Sequence, residues 1–561
     1  MACPVCQSTE PVASPSPPTS ARQGIPLQRL PWARPLSIDY VHAYQKLAEF
    51  YAGNPADPAA WREAIARTQA HPRQRVPLTA MLEAQQQARR APAASKGASA
   101  RLADPRAVAI VTGQQAGLFG GPVYTLLKAI TALKLAARIE RDFRVPVVPI
   151  FWIDAEDHDW DEVNGCGVLD ADLNPHHVHV SKPAGANEKP VARVSLDESV
   201  TAALDELRRL LPQTEFTEDL IYELGRSYAP GAGMTIAFGR WIETLLGPYG
   251  LVVFDSADVS AKPLVRELFI RELETAGRTA ALAVEAGAAL EARGYHAQVT
   301  PAADSLALFH LDGAREPIKR AGDGDAFLIG ETRVPMATLI KDADDHPERF
   351  SPNVLLRPLV QDALFPTIAY VAGPSELAYL GQLKSIYAHF GVPMPLVCNR
   401  ASATILDSGA SRFLSRYDFP FEQLEQQDEA ALNRLLESQL PASVEAGFDD
   451  AQRAIAERMG ALAAAVPGVD PTLEGAVKST VGKMTHELEA LHGKIIQAAK
   501  RKDDTLRRQF VRTRAQAFPD GNPQERTIGF INLLNRYGPA LIEVLEQELP
   551  EETDQHWLLT L

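Results

Sequence analysis

The clearest pattern in the chain is a pair of continuous apolar runs with an amphipathic helix between them. Ala107–Thr112 is long enough for a buried strand and too short for a helix, and Val145–Ile153 is a second such run. Between the two, apolar residues recur at helical spacing after Pro122, a residue that suits the first position of a helix. Unbroken apolar strands are typical of parallel sheets that are buried on both faces. The stretch therefore predicts a strand–helix–strand unit of a parallel sheet.

The same rhythm returns later in the chain. Gly250–Phe254, Thr367–Ala372 and Val392–Val397 are predicted as further buried strands, the last two with a helix between them. Between about residues 165 and 350 the pattern changes to helices and short strands, which indicates inserted subdomains. The predicted fold class is α/β, with a parallel-sheet core over residues 38–426.

The two ends of the chain differ from this core. Residues 1–37 are rich in Pro and Ser and are predicted to form a disordered tail. Residues 427–517 predict an α-helical coiled-coil hairpin, because apolar positions alternate steps of four and three as in a heptad seam. The seam serves the two arms of the hairpin or, alternatively, a second subunit. Residues 518–561 predict a turn and a final helix that packs back on the core. The seam positions are Val477, Val481, Met484, Leu488, Leu491, Ile495, Ala498, Lys502 and Thr505.

Two short connections are also predicted. Ala91–Asp104 is rich in small residues and reads as a flexible joint before the first strand of the core. Gln298–Thr300 is predicted as a short strand of the inserted region, followed by Leu306–Leu311 and Phe327–Ile329.

Composition narrows the class of protein. The 561 residues carry a formal net charge of −15, which argues against nucleic acid or an anionic membrane as the main partner. No apolar run reaches the roughly 20 residues that span a bilayer. The first residues lack an apolar signal core, so we expect a cytoplasmic protein.

The four cysteines do not predict a disulfide framework. Cys3 and Cys6 form a Cys-x-x-Cys pair in the tail, but a zinc site needs about four ligands and no second pair lies nearby. Cys166 and Cys398 follow or end apolar strands, so we expect them to be small buried hydrophobic residues rather than nucleophiles. Cys166 stays a minor candidate because it lies close to the acidic loop described next.

Two loops leave the carboxyl ends of the first two predicted strands, where doubly wound sheets bind their ligands. The first, Gly113–Gly121, contains four glycines that let the backbone approach a ligand, and a helix N-terminus that favours anions follows it. The second, Asp154–Asn164, packs six carboxylates around His158 within nine residues. The first loop matches neither the P-loop nor the dinucleotide-binding spacing. The residues alone predict an anion or nucleotide pocket of unspecified chemistry, although a solvated charge run is the alternative for the second loop.

A second Gly-Pro turn resembles the first. Gly373-Pro374 starts a predicted helix with polar residues in its first turns, and other polar residues precede the strand before it and end the strand after it. Each of these side chains alone is explained as well by a surface ion pair. Together they predict that the two turns form opposite walls of one pocket. The polar residues are Arg357, Gln361, Asp362, Glu376, Tyr379, Gln382 and Arg400.

Four segments resemble the BshC family, the cysteine ligases of bacillithiol biosynthesis. They are TGQQAGLFGGPVYTLLK (Thr112–Lys128), PIFWIDAEDHDWDEVN (Pro149–Asn164), RPLVQDALFPTIAYVAGPSELAYLGQL (Arg357–Leu383) and NPQERTIGFINLLNRYG (Asn522–Gly538). The resemblance covers the chain from about Ser37 to its end, in the family's order and spacing. It implies a Rossmann-type core with inserted connecting subdomains and a coiled coil that forms a homodimer. It also implies an enzyme that joins the carboxylate of L-cysteine to the amine of glucosaminyl-malate.

The resemblance and the pocket prediction together suggest roles for individual residues. An amide forms from a carboxylate only after activation, so we expect ATP or another nucleotide, and no firm metal site. The groups around the activated carboxylate or phosphate are expected to be Thr112, Gly113, Gln114, Gln115, Gly117, Gly120, Gly121, Tyr124 and Lys128. The catalytic loop residues, which hold an amine, are expected to be Glu156, Asp157, His158 and Asp159, with His158 or Asp157 taking the proton. The sugar and malate pocket is expected to include Glu376, Tyr379 and Gln382, with Arg357 or Arg400 pairing a carboxylate. The remaining predicted binding residues are Trp152, Asn164, Gln361, Asp362 and Gly373.

Two other classes of function stay open at this level. The first is another nucleotide-dependent transferase whose acidic loop holds a divalent metal, which predicts loss of activity in EDTA. The second is a coiled-coil dimer scaffold that senses a thiol or nucleotide, which predicts tight binding without turnover.

Overall fold

The structure is a computed structural model, and it describes residues 22–183, 185–322, 324–439, 442–502 and 504–561. The strands are β1 (Arg22–Pro26), β2 (Val108–Gln114), β3 (Val147–Ile153), β4 (Gly165–Leu169), β5 (Pro175–His179), β6 (Val252–Asp255), β7 (Ser305–Asp312), β8 (Ala314–Arg320), β9 (Ala326–Ile329), β10 (Thr332–Pro335), β11 (Phe350–Pro352), β12 (Thr367–Ala372), β13 (Leu396–Asn399), β14 (Ser402–Leu406) and β15 (Gln555–Thr560).

The first helices are α1 (Pro35–His42), α2 (Pro58–Ala70), α3 (Arg75–Arg89), α4 (Ala93–Ala100), α5 (Val123–Phe143), α6 (Trp160–Val163), α7 (Ser199–Leu210), α8 (Thr217–Ser227), α9 (Met234–Leu246), α10 (Lys262–Glu274), α11 (Arg278–Glu291) and α12 (Met336–Asp345). The others are α13 (Arg357–Leu364), α14 (Pro374–Leu380), α15 (Lys384–Phe390), α16 (Ser408–Tyr417), α17 (Ala430–Ser438), α18 (Ala442–Ala465), α19 (Glu474–Lys502), α20 (Asp504–Ala517), α21 (Gln524–Thr527), α22 (Phe530–Tyr537) and α23 (Leu541–Glu548).

Five parallel strands form the central sheet, in the order β13-β12-β2-β3-β6. Every residue of β3 and of β12 is buried, which explains why their sequences are unbroken apolar runs. The 21-residue helix α5 connects β2 to β3 and buries the apolar face that the sequence predicted. The predicted parallel α/β core is therefore confirmed.

The strand order reverses once within this sheet. From β2 the chain adds β3 and then β6 on one side, and it adds β12 and then β13 on the other. The switch point lies between β2 and β12, and open parallel sheets bind ligands in the crevice beyond the carboxyl ends of the strands at such a point. In this sheet those carboxyl ends are Gln114 and Ala372.

The inserted region contributes two antiparallel sheets. One is the hairpin β4-β5, and the other has the strand order β10-β9-β8-β7-β11. The sequence predicted β7 and β9 from this region but not β8, of which only Ile318 is buried. A strand with one buried residue gives no alternating pattern to detect.

Both short connections differ from their predictions. Residues 91–104 are not a flexible joint, because α4 fills most of them and its small side chains allow close packing. Beside α4, Arg89 and Glu243 form a buried ion pair at 2.8 Å, and Glu243 also accepts a hydrogen bond from Ser95. Residues 298–300 form no strand, since the side chain of Gln382 binds the backbone N–H groups of residues 298 and 299.

The predicted tail extends too far into the folded chain. Residues 1–21, with Cys3 and Cys6, lie outside the described residues. Beyond them β1 pairs with β15 in antiparallel fashion, and Ile25 is only 2% exposed. The disordered assignment is therefore wrong for residues 22–37, where a strand joins the two ends of the chain.

The chain divides into two compact units. In the described part of the chain, residues from 22 to 404 and from 528 to 561 form the first, and residues from 405 to 527 form the second. These limits differ from the predicted ones at residues 426 and 517. The C-terminal residues 528–561 thus belong to the first unit, with two helices and the strand β15 in place of a single final helix.

The second unit is helical in its described part. Its base is an aromatic cluster in which Phe413 and Phe419 contact Phe510, at ring-centroid distances of 6.2 and 5.6 Å. Helices α18 and α19 form the predicted hairpin. Two positions of the predicted seam, Met484 and Leu491, are 39% and 49% exposed in the single chain, so the contact between the two arms does not cover them. None of the helices in the described part of the chain combines the length and hydrophobicity needed to cross a membrane.

Candidate active site

The two Gly-Pro turns meet at the switch point through a buried ion pair. Lys128 of α5 places its Nζ 2.5 Å from Oε2 of Glu376 in α14. Lys128 also donates hydrogen bonds to the carbonyl of Gly113 at 2.7 Å and to Oε1 of Gln114 at 3.0 Å. The structure thus brings the two predicted walls together. It also engages all three donors of Lys128, so this lysine positions the first loop, and its contact with a phosphate stays a prediction.

The pair holds charge in a buried environment. Burial lowers the pKa of Lys128, and the carboxylate of Glu376 opposes that effect. Burial alone would raise the pKa of Glu376, yet Lys128, the hydroxyl of Tyr370 and the N–H of Gly373 together hold it below its ordinary value. Gly373 therefore contributes a donor to Glu376, at 2.7 Å, rather than to a ligand.

Two further cations lie beside this pair. Arg357 donates to the hydroxyl of Tyr379 at 2.7 Å and lies 3.4 Å from Oδ2 of Asp154. The guanidinium of Arg400 lies over the ring of Tyr124, 5.6 Å from its centroid. Lys128 is close enough to both arginines for each to lower its pKa further. Three cations thus face the carboxylates of Glu376 and Asp154, an excess of positive charge that suits a ligand with carboxylate or phosphate groups.

Asp154 and Arg357 shift each other's pKa. Burial raises the pKa of Asp154, and Arg357 opposes the shift. Burial would lower the pKa of Arg357, but Tyr379, Asp154 and other acidic neighbours hold it well above its ordinary value. Sequence analysis did not include Asp154 among the site residues, although it is the first carboxylate after β3.

The glycine loop and the acidic loop face each other, as predicted. Nε2 of Gln115 donates to Asp157 at 2.7 Å and to Glu162 at 2.8 Å. The other oxygen of Asp157 accepts the backbone N–H of His158 at 2.7 Å. The Asp157 and His158 side chains stay 31% and 42% exposed, so both are accessible to a ligand.

An arginine of the inserted region, which sequence analysis missed, reaches the acidic loop. Nη1 of Arg315, near the start of β8, lies 3.0 Å from Nδ1 of His158. Its other nitrogens donate to Oγ of Ser351 at 3.2 Å and to the carbonyl of Pro352 at 3.0 Å. The contact joins residues 157 positions apart, and β8 has no clear pattern, so no sequence signal pointed to it.

Two of the four predicted catalytic residues have structural roles. Glu156 is buried in an ion pair with Lys262 at 2.5 Å, and Lys262 also donates to the carbonyl of Phe350. Asp159 caps α6, where its Oδ1 accepts the N–H of Glu162 at 3.2 Å. The protein itself engages Glu156 and Asp159, so their contact with an amine stays a prediction, and Asp157 and His158 are the stronger candidates.

Several predicted binding residues belong to the interior. Trp152 packs against Phe254 and Phe365 in the core. Thr112 is buried and donates across the sheet to the carbonyl of Val371 at 2.9 Å. The amide oxygen of Asn164 contacts His179 at 3.3 Å within the hairpin β4-β5. Trp152 and Thr112 are thus buried in the core, whereas Asn164 is only half-buried, and the ligand contacts of all three stay predictions.

Three more predicted binding residues are buried: Gln361 and Asp362 in α13, and Gln382 just after α14. Gln382 is fully buried and binds the backbone of residues 298 and 299, as well as the carbonyl of Ala283. Gln361 donates to Asp362, which also accepts the hydroxyl of Tyr387 at 2.5 Å. Burial raises the pKa of Asp362 to about 6. Their polar groups serve internal hydrogen bonds here, and their predicted contacts with a ligand stay predictions.

The glycines of the first loop are required by packing. Gly120 has a φ of +100°, and a Cβ there would lie 2.3 Å from the ring of Phe530. A Cβ on Gly117 would approach Gly121, and one on Gly113 would lie 2.8 Å from the carbonyl of Trp152. The loop is compact because the C-terminal segment packs directly against it.

The N-terminus of α5 is occupied by the chain itself. The N–H of Val123 donates to the carbonyl of Ile528 at 2.9 Å, and Gly121 accepts the N–H of Phe530 at 3.3 Å. The contact with Ile528 takes up one of the first N–H groups of α5, and the anion site at this helix end stays a prediction. Tyr124, one residue further, does belong to the cluster, where its hydroxyl lies 3.4 Å from Nε2 of Gln114.

Neither described cysteine is a candidate nucleophile. Cys166 and Cys398 are buried, and burial raises the pKa of each thiol to about 12. The predicted role as small buried hydrophobic residues agrees with this geometry. Within the described ranges, no group of three His, Cys, Asp or Glu side chains is arranged to hold a metal ion.

Comparison with known proteins assigns the chain to a family. The chain matches the family described as bacillithiol biosynthesis BshC, N-terminal Rossmann-like domain, over residues 23–401, and the BshC C-terminal coiled-coil domain over residues 403–561. A protein of Salinibacter ruber is 34% identical over 546 residues, 97% of this chain and 99% of the relative. A protein of Chlorobaculum tepidum is 35% identical over 486 residues, 82% of this chain and 84% of the relative. One of Bacillus pumilus is 30% identical over 456 residues, 80% of this chain and 83% of the relative.

All three relatives carry the name "Putative cysteine ligase BshC". The two matched domains follow one another in the order found here, a Rossmann-like domain and then a coiled coil. Together the domain matches extend over almost the whole chain, and they include every residue of the cluster at the switch point. The chain belongs to the BshC family of bacillithiol biosynthesis.

Proposed function

We propose that this protein is a ligase that joins the carboxylate of L-cysteine to the amine of glucosaminyl-malate, the last step of bacillithiol biosynthesis. The family and the names of its relatives support this activity. The observation that carries it in the structure is the cluster at the switch point. There Lys128, Arg357 and Arg400 lie close to one another, and Asp154, 3.4 Å from Arg357, connects these cations to the acidic loop that carries Asp157 and His158.

The charges indicate how the substrates bind. Glucosaminyl-malate carries carboxylates on its malate portion, and Arg357 and Arg400 are the cations that favour them. Its amine, or that of cysteine, pairs with Asp154 or Asp157 on the acidic loop. The hydroxyl of Tyr379, held by Arg357, adds a neutral group suited to a sugar hydroxyl.

Energy for the reaction comes from ATP or another nucleoside triphosphate. A carboxylate does not react with an amine until one of its oxygens has been converted into a leaving group, and phosphoryl or adenylyl transfer supplies that group. The glycine turn does not fit the phosphates, because the N–H of Val123 is bound to Ile528 and Lys128 is engaged by Glu376. Arg400 and Arg357 are the cations that fit them better.

The homodimer is a further part of this proposal. Several large apolar side chains of the helical hairpin are exposed in the single chain, and a second copy is the partner that would cover them. They are Leu462, Leu473, Met484 and Leu491.

The two free thiols at Cys166 and Cys398 support a reducing compartment such as the cytoplasm.

Turnover measured by mass spectrometry tests the proposal. Purified protein is incubated with cysteine and glucosaminyl-malate, with and without ATP and magnesium. We expect the amide product only when ATP is present. Product without ATP would overturn the energy source, and its absence in both conditions would overturn the ligase activity.

A variant pair connects turnover to the cluster. Arg357→Gln removes a charged partner of the ligand and should lower kcat/KM by roughly 100-fold. Arg62→Gln, an exposed arginine on α2, should leave it unchanged. Equal activity in the two variants would contradict the placement of the substrate at Arg357.

A further inference from the structure

The contact between Arg315 and His158 determines which ring nitrogen of the histidine carries a proton. A guanidinium has five N–H donors and no acceptor. Nδ1 of His158, 3.0 Å from Nη1 of Arg315, must therefore be the acceptor of this hydrogen bond. A neutral imidazole has one donor and one acceptor nitrogen, so the proton of His158 lies on Nε2.

The contacts of Arg315 fix its guanidinium in a position that does not accommodate the other tautomer of His158. Its guanidinium lies 3.7 Å from the ring centroid of Phe309, and it is hydrogen bonded to Ser351 and Pro352. Burial lowers its pKa, but the nearby carboxylates of Glu156, Asp157 and Asp154 oppose this shift. Oδ1 of Asp157 lies 3.6 Å from Nδ1, beyond hydrogen-bond distance, so an N–H on Nδ1 would meet only the donor of Arg315 at 3.0 Å.

The other nitrogen of His158, Nε2, makes no hydrogen bond within the described part of the chain. The side chain is 42% exposed. The neighbouring Asp157 accepts one hydrogen bond on each oxygen, from Gln115 and from the backbone of His158. A carboxylate oxygen has two lone pairs, so each retains one for a further proton donor.

We propose that His158 acts as a hydrogen-bond donor through Nε2–H, that Asp157 accepts the proton of the amine, and that Arg315 is the positioning residue that fixes this tautomer. The inference rests on the proposed ligase function and assigns the proton acceptor, which sequence analysis left open between the two residues. It gives His158 the role of an electrophilic group.

The step is a nucleophilic acyl substitution on a carboxyl group activated by a nucleoside triphosphate. The amine lone pair forms the new C–N bond, and the C=O π pair moves onto the oxygen that His158 Nε2–H stabilises. Asp157 takes the proton from the nitrogen. The oxygen pair then re-forms the carbonyl, and the phosphate or nucleotide leaves with the electrons of its C–O bond.

Nitrogen-15 NMR of histidine-labelled protein tests the tautomer directly. The chain has 13 histidines, and the signals absent from His158→Gln identify His158. We expect a neutral ring with its proton on Nε2 in the wild type, and loss of this preference in Arg315→Ala. A proton on Nδ1, or a doubly protonated ring at neutral pH, would overturn the proposal.

Kinetics tests the role of His158. The amide N–H of glutamine replaces the donor Nε2–H but cannot accept a proton, so His158→Gln should retain at least 10-fold more kcat than His158→Ala. The alanine variant should lose roughly 100-fold, as expected for removal of a donor to a developing oxyanion. Equal losses in both variants, with the folded state confirmed, would show that His158 is the proton acceptor and overturn the assignment.

Arg315 is tested by its conservative variant. Arg315→Lys keeps a donor toward Nδ1 and should recover part of the kcat that Arg315→Ala loses, together with the Nε2–H signal. Recovery of neither would overturn the positioning role. If the wild type shows no turnover, the ligase function fails, while the NMR result still decides the tautomer independently.

Discussion

At the level of single residues, the ion pair between Lys128 and Glu376 joins two helices that are far apart in the sequence. Its lysine side chain is 4% exposed and its carboxylate 19%. Removing one partner of such a pair leaves an uncompensated charge in a poorly solvated position. The pair therefore supports both the fold and the shape of the site.

Lys128→Met tests this support. We expect a loss of about 3 kcal/mol in the free energy of unfolding, because Glu376 keeps its charge without its cation. Urea denaturation followed by tryptophan fluorescence measures it, since all six tryptophans belong to the first unit. Arg226→Met, which removes an exposed ion pair on α8, should cost less than about 0.5 kcal/mol. Equal costs for the two variants would contradict the structural role of Lys128.

A second residue links stability to pH. Glu272 is buried, and burial raises its pKa from 4.5 to about 7, against the opposing N–H of Ala307 and hydroxyl of Thr279. The folded state thus binds this proton more tightly than the unfolded state. The unfolding free energy is unaffected by this group below pH 4.5, falls as the pH rises from there, and levels off above about pH 7.

Glu272→Gln should remove this dependence. Between pH 4.5 and pH 8 the free energy of unfolding should fall by up to about 3 kcal/mol more in the wild type than in the variant. This figure follows from the shift of the pKa at about 1.4 kcal/mol per pKa unit. Urea denaturation over this range measures the difference, with the exposed neighbour Glu274→Gln as the control. The prediction fails if Glu272→Gln keeps the wild-type slope.

At the level of elements, the glycine turn before α5 is defined by its contact with the C-terminal segment. Gly120 has a positive φ, and its Cα faces Phe530 at the start of α22. The first turn of α5 is bound by the backbone of Ile528. The loop, the helix and the C-terminal segment are therefore expected to unfold together.

Gly120→Ala tests this packing. A left-handed conformation costs a non-glycine residue about 1–2 kcal/mol, and the clash with Phe530 adds to it, so we expect a loss of at least 2 kcal/mol in unfolding free energy. Gly97→Ala in α4 has no atom within 4 Å of its new Cβ and should stabilise the protein by up to about 1 kcal/mol. Similar effects of the two substitutions in thermal unfolding would contradict the account of this turn.

The elements that could be predicted are those with a strong local pattern. The strands β2, β3 and β12 and the helix α5 follow from apolar runs and helical spacing. β8, with its single buried residue, and β1 and β15, which pair across the whole chain, do not. Local pattern carries no information about which distant segments meet.

The site shows the same division. Lys128, Glu376 and Asp157 could be found because they follow strand ends or Gly-Pro turns, and Arg357 because it precedes the strand that leads into the second turn. Arg315 and Lys262 could not, since each reaches the acidic loop from the inserted region. Conversely, buried polar residues such as Gln382 looked functional because sequence does not distinguish an internal hydrogen bond from a ligand contact.

At the level of the whole molecule, the exposed apolar residues of the helical hairpin predict a dimer. Leu491→Glu should give a monomer, because a charge at this position removes apolar contact area with a second copy. Light scattering after size-exclusion chromatography measures the mass, and circular dichroism checks that the helices persist. Lys494→Glu, at an exposed polar position of α19, should remain a dimer. A monomeric wild type would contradict the predicted dimer.

The activity itself is tested most directly by following the oxygens of cysteine. Cysteine with ¹⁸O at both carboxylate oxygens is incubated with the protein, glucosaminyl-malate, ATP and magnesium. The masses of all products are then measured by mass spectrometry. We predict an amide that keeps one ¹⁸O, and a phosphate or AMP that has gained the other. Folded protein that forms no amide, or an amide without transfer of ¹⁸O to the nucleotide products, would contradict a ligase that activates the cysteine carboxylate with ATP.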